Sequence, residues 1–348
     1  MIDHSQTHIE RVAIHKVGSK HEGEGFVLSE SEFEITDEAT HDILYSFFLN
    51  PFKALDMYQF NLDTPSSDNS ALHCVTRIFE TPQSFFEESK KLAELLYDTA
   101  CYEETKPGEL YVVFFRNCEF NEELCNAVGI FKSERKDTFM RVFPDGGNFG
   151  VEHYNDGINV KKMDKGCLIF NINQETGYAI KLIDNTKATE RPYWTDYFLN
   201  IKPIADNYFA TNNFLQICKE FSETVLTEKN NVEKNEQIGF MNNSYNYFKN
   251  NEFYDEVDFK KTVLQNPEII ESFDEFKYDF EQAYEIPARS EFEISPDAVK
   301  KSKKYVRSII KLDKNFHIYV HSKPDYIEKG FDDDRKMKYY RVFFEEES

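Results

Sequence analysis

A chain of 348 residues with 33 Phe and 40% hydrophobic positions has material for two or three packed units, and its 13 Gly and 11 Pro are too few for a fibrous or disordered chain. A formal charge of −22 excludes a whole-surface binder of polyanions and leaves only a local basic face for that role. No apolar stretch approaches the ~20 residues that span a bilayer, and MIDHSQTHIERVAIHKV lacks a signal-peptide layout, so no membrane contact and a cytoplasmic location are expected.

In chain order, HIERVAIHKV (8–17) alternates imperfectly and reads as a strand. The next stretch has Thr36 as N-cap, helical spacing through Leu44, Phe47 and Phe48, and an end at Asn50-Pro51. Thr81-Pro82 opens a second helix with Phe85, Leu92, Leu95 and Leu96 as its buried stripe. Then come short β-branched and aromatic runs at 109–117, 124–133, 138–143, 165–172 and 177–184, separated by turn signals such as Asp145-Gly146-Gly147. Short strands with short connections predict an antiparallel sheet.

Past Pro203 the pattern turns helical, over 214–226, 236–250, 258–266 and 268–283. Segment 220–295 holds 18 acids against 7 bases, about half the net charge. Ser295-Pro296 starts a further helix, followed by two strands around Asp313-Lys314-Asn315 and a last strand at 337–344. The fold class is therefore α+β. Three parts are expected: an α+β unit over 1–203, an acidic helical region over 204–294, and a basic helix-plus-hairpin tail over 295–348 packed on the rest.

Two basic clusters are candidate phosphate contacts. In 298–323 there are eight bases against one acid, and Lys300, Lys303, Lys304, Arg307 and Lys311 follow helical spacing, with Lys301 beside them. Such a stripe neutralises phosphates in register and gains affinity from counterion release. The second cluster joins Lys132, Arg135, Lys136 and Arg141 to Lys161, Lys162 and Lys165, all at predicted strand ends.

Glu134-Arg135-Lys136 is an E-x-K triplet, which a Mg²⁺-dependent nuclease would complete with an upstream carboxylate such as Glu119, Glu122 or Glu123. The triplet is common, and Asp145 lies on the wrong side of it. The six Cys have no C-x-x-C spacing and sit mostly in apolar runs, which reads as buried free thiols. No nucleotide-binding loop or zinc-protease motif occurs, so neither a cofactor nor an enzyme is expected.

The blocks IERVAIHKVG, FVLSESEFEI, GELYVVFF, AVGIFKSERKDTF and GINVKKMDKGCLIFN, followed by GYAIKLIDN and YWTDYFLNIKPIADNYFATNNFLQIC, carry a family resemblance over 8–225. In this order they resemble the bacterial nucleoid-associated proteins of the YejK/NdpA type, in the version found in Bacteroidetes-like bacteria. The resemblance implies association with double-stranded DNA in the nucleoid without a known catalytic motif, and contact with topoisomerase IV. The charge of −22 departs from what a DNA-coating protein would carry. Two functions follow as expectations: a non-catalytic protein that binds duplex DNA through phosphates, or an interaction module whose acidic helices meet a basic partner. A homodimer stays open.

Overall fold

The computed structural model describes residues 6–52, 56–63, 70–99, 105–120, 123–185, 193–227, 234–284, 286–305, 309–312, 316–319 and 326–346. The chain divides into two compact units, 1–204 and 205–348.

The first unit contains β1 (His8–Val17), β2 (Phe26–Val27), α1 (Glu38–Leu49), β3 (Met57–Phe60), α2 (Ser70–Glu80) and α3 (Phe85–Thr99). These are followed by β4 (Gly108–Phe120), β5 (Glu123–Ser133), β6 (Asp137–Asp145), β7 (Asn148–Gly157), β8 (Lys165–Phe170), β9 (Ala179–Asp184) and β10 (Ile201–Pro203). Eight of the strands form one antiparallel sheet in the order β10-β3-β9-β8-β5-β4-β1-β2. The run YVVFF is continuously apolar because both faces of β4 are covered. Leu110, Val112 and Phe114 enter a core with α2, α3 and Trp194. Tyr111, Val113 and Phe115 alternate to the other face, under Phe47 and Phe48 of α1.

The first helix begins one residue later than the sequence predicts. Asp37, not Thr36, is the N-cap, its carboxylate accepting the Thr40 N–H at 2.9 Å. Thr81-Pro82 opens a short 3₁₀ turn (82–84) that leads into α3. Several elements of this unit have no counterpart in the sequence reading, among them α2 and β7. The latter pairs with β6 as a separate hairpin, joined by Gly146 (φ +53°) and Gly147 (φ +88°). A two-residue turn with both φ values positive matches the twist of the strands it joins. Phe143 lies across Gly150, its register partner on β7, filling the space a side chain there would need.

The second unit contains α4 (Asn207–Thr224), α5 (Lys234–Asn250), β11 (Phe253–Asp255), α6 (Glu256–Phe259), α7 (Pro267–Ala283), β12 (Glu291–Glu293) and α8 (Pro296–Ser302). The hairpins β13 (Ile309–Leu312) with β14 (Phe316–Tyr319), and β15 (Ile327–Asp332) with β16 (Met337–Val342), complete it. Its centre is aromatic. Phe214 lies 4.4 Å from Tyr254 and 5.0 Å from Phe259, ring centre to ring centre, with Phe248, Phe273 and Phe292 around them. Val299 of α8 belongs to this same core, so the basic helix and the acidic helices share one hydrophobic centre.

Candidate nucleic-acid interface

Two of the candidate cations of the first unit, Lys132 and Lys165, are drawn inward. Lys132 lies on β5 on the same face as Val128 and Ile130, which enter the α2–α3 core. Lys165 opens β8 directly opposite it in register. Both therefore point into the sheet's covered face, where they are 0% and 1% exposed.

A π-helical segment, Tyr193–Leu199, supplies the ring that lies over both ammonium groups. The Tyr193 ring centre is 5.5 Å from Lys132 Nζ and 5.1 Å from Lys165 Nζ. Lys132 Nζ donates to the Lys106 carbonyl at 2.7 Å and to Tyr193 Oη at 3.2 Å, and pairs with Glu134 Oε1 at 3.0 Å. Tyr193 Oη in turn donates to Glu134 Oε1 at 2.8 Å. Lys165 Nζ donates to Asp184 Oδ1 at 3.1 Å. Burial pulls the Lys132 ammonium below the ordinary lysine range, while the Glu134 charge opposes that shift.

This corrects the sequence expectation for Lys132 and Lys165. Lys132 neutralises the buried Glu134 carboxylate, Lys165 reaches outward to the carboxylate of the surface residue Asp184, and neither buried ammonium is presented to a phosphate.

The remaining cations of that cluster sit nearer the surface, most of them with acidic partners. Arg135 donates to the buried carboxylate of Asp164, which also accepts the Glu134 and Arg135 N–H groups at 2.7 and 3.0 Å. Lys136 pairs with Glu109, Arg141 with Glu152 at 3.1 Å, and Lys162 with Asp137 at 3.5 Å. Lys161 is exposed, with no ion pair among the described residues.

The E-x-K triplet is separated by the same partners, since Glu134 turns inward to Lys132 and Lys136 turns to Glu109. Glu119 and Glu123 lie at the opposite end of the β4–β5 pair from Ser133, about 30 Å away at ~3.4 Å per residue. Glu122 falls outside the described residues. Cys118 and Cys125 face each other across these strands, and burial pushes their thiols up to about 12 and about 11, so they are held protonated.

The second unit treats its lysines differently. Inside the acidic helices, Lys260 bonds Glu256 and Asp274, and Lys277 bonds Glu256 and Glu281. On α8, by contrast, Ala298, Val299 and Ser302 take the buried face. Ser295 caps the helix through its hydroxyl, which accepts the Ala298 N–H, and Pro296 occupies the first turn.

Lys300 and Lys301 are left exposed, as are Lys303 and Lys304 in the 3₁₀ turn that follows (303–305). No ion pair among the described residues engages Lys300, Lys303 or Lys304. Lys304 lies 5.2 Å from the Tyr305 ring centre and Lys301 5.4 Å from that of Tyr208. The predicted helical stripe is shorter than the sequence suggests. Lys311 lies on β13, opposite His317, so it cannot continue the helix face. Arg307 lies outside the described residues.

Residues 13–336 match the family model described as nucleoid-associated protein YejK. The chain belongs to that family. No curated protein matches it. In this YejK-family chain, most candidate cations of the first unit have acidic partners, whereas Lys300 of α8 and Lys303 and Lys304 of the turn after it are exposed without an ion pair among the described residues.

Proposed function

We propose that the chain binds double-stranded DNA mainly through phosphate contacts with little base readout, using Lys300, Lys301, Lys303 and Lys304. Lys161 and Lys311 are secondary contacts, and Arg307 extends the α8 patch in sequence. The single observation that carries this reading is that Lys300, Lys303 and Lys304 are exposed and have no ion pair among the described residues, in a chain where acids exceed bases by 22. Ammonium groups held off a helix and not neutralised internally are poised to displace counterions from a duplex. Lysine meets phosphate as a mobile point charge, without the planar fork that reads guanine. Binding is therefore expected to be indifferent to sequence and to place the protein in the nucleoid.

The test is competition between unrelated duplexes of equal length, with wild type and with Lys300→Glu/Lys303→Glu/Lys304→Glu. Equal competition and a strong loss of affinity on charge reversal support the reading. Unchanged affinity after reversal rejects it.

A second reading rests on α7. Glu268, Glu271, Glu275 and Asp279 are all exposed there, with Tyr278 63% exposed among them. This acidic and aromatic face suits a basic protein surface, and topoisomerase IV is the partner that the family resemblance suggests. Purified topoisomerase IV subunits, treated with nuclease, would bind wild type and lose binding to Glu268→Lys/Glu271→Lys/Glu275→Lys. Binding that disappears with the DNA would instead leave α7 as a solvated face.

A further inference from the structure

The β6–β7 hairpin projects as a two-stranded arm outside the eight-stranded sheet. One of its faces is apolar and uncovered. Register pairs Val142 with Val151 at the centre of that face, Met140 with His153 on one side, and Pro144 with Phe149 on the other. Met140 is 71% exposed, Val142 55%, Val151 63% and Phe149 76%. An isolated two-stranded hairpin is marginal in water, and contiguous exposed apolar surface of this kind marks an interaction site.

We propose that this face is where two copies of the chain associate. Charge argues against the alternative occupants. The segment 137–157 carries Asp137, Asp145, Glu152 and Asp156 against Arg141 as its one Lys or Arg, so it repels DNA phosphates and anionic lipid alike.

The layout is self-complementary. A two-fold axis running across the strands through the Val142–Val151 pair lays the Phe149 end of one arm on the Met140 end of the other, so one surface serves both partners. The area is that of a weak, reversible association. Met140, Val142, Phe149 and Val151 together expose roughly 500 Å² per copy, so their complete burial in two copies removes about 1,000 Å², the lower limit for a specific interface. The Arg141–Glu152 pair stays on the outer face and needs no desolvation. This association does not depend on DNA binding, and pairing the chains would double the phosphate contacts available to one assembly.

Sedimentation velocity of the full chain without DNA, across micromolar concentrations, tests the proposal. The expected mass is twice the 41.1 kDa of the chain, falling to 41.1 kDa for Val142→Lys/Val151→Lys. Both positions are solvent-exposed, so the variant should keep the circular dichroism of wild type. Val142→Cys gives a second measurement, because the two-fold places this residue opposite its copy across two packed sheets about 10 Å apart. A short bis-maleimide linker of that span should then give a linked dimer in higher yield than wild type. A wild-type chain that stays monomeric, a dimer that survives the double lysine variant, or no gain in linkage for the cysteine variant would each overturn the proposal.

Discussion

Lys132 and Glu134 are the residues whose replacement separates structure from surface. Each is the counter-charge of the other inside the sheet, at 0% and 3% side-chain exposure. Glu134→Ala leaves Lys132 and Lys165 side by side with less compensation, and removing one partner of a buried ion pair costs about 3–5 kcal/mol. Chemical denaturation should register that loss, while Lys161→Ala, at an exposed position, should stay within about 0.5 kcal/mol.

His15 offers a second residue-scale prediction. Its Nδ1 accepts the Ser29 N–H at 3.2 Å, which places the ring proton on Nε2 facing Ser89 Oγ at 3.0 Å. Burial, reinforced by the positive charge of Lys90, pulls its pKa down to about 4 from 6.5. The folded state thus binds fewer protons than the unfolded state between these values. Stability contributed by the neutral ring is present above pH 6.5 and is lost as pH falls toward 4. Melting temperature should fall over that window in wild type and fall less in His15→Gln.

Lys132 and Lys165 also mark where the sequence stops being legible. Strand alternation alone puts Lys132 on the face of Val128 and Ile130, so its inward direction could have been read from β5. Their partners could not. Lys165 and Asp184 meet through sheet order, which brings β8 beside β5 and β9 beside β8, and Tyr193 arrives on the π-helical segment that packs over that face.

At the scale of elements, strongly periodic or clearly capped segments were legible: β4, β5, α3, α7 and the Ser295-Pro296 start of α8. The α2 helix was missed although SSDNS precedes its apolar spacing of Ala71, Cys74, Val75 and Ile78, a cap-type signal that could have located it. The β7 strand was missed because Gly150 and the Asn-Asp-Gly end read as turn chemistry. Their strand conformation depends on cross-strand cover, Phe143 over Gly150 and Phe139 over Gly157. The same arm gives a prediction about its turn. Gly146→Val forces a β-branched residue to φ +53°, a cost of about 1–2 kcal/mol. Amide exchange along β6–β7 should quicken roughly tenfold while the central sheet stays protected.

For the whole molecule, family and fold class come out as the sequence suggested: a member of the nucleoid-associated protein YejK family with an α+β fold built on an antiparallel sheet. Among the described residues no helix is long and apolar enough to cross a membrane. The charge of −22 bears on how such a chain could meet DNA. Acids outside the basic patch repel a duplex at low ionic strength, but beyond about 8 Å they are largely screened at physiological salt. A compact exposed lysine patch then acts locally, as α8 would. Whether these lysines neutralise phosphates is read from duplex affinity against salt for wild type and for Lys300→Gln/Lys303→Gln/Lys304→Gln. The expected plot of log affinity against log salt is shallower in the variant by roughly 0.9 for each phosphate no longer neutralised, with weaker binding on every duplex. Identical slopes and affinities for the two proteins would contradict it.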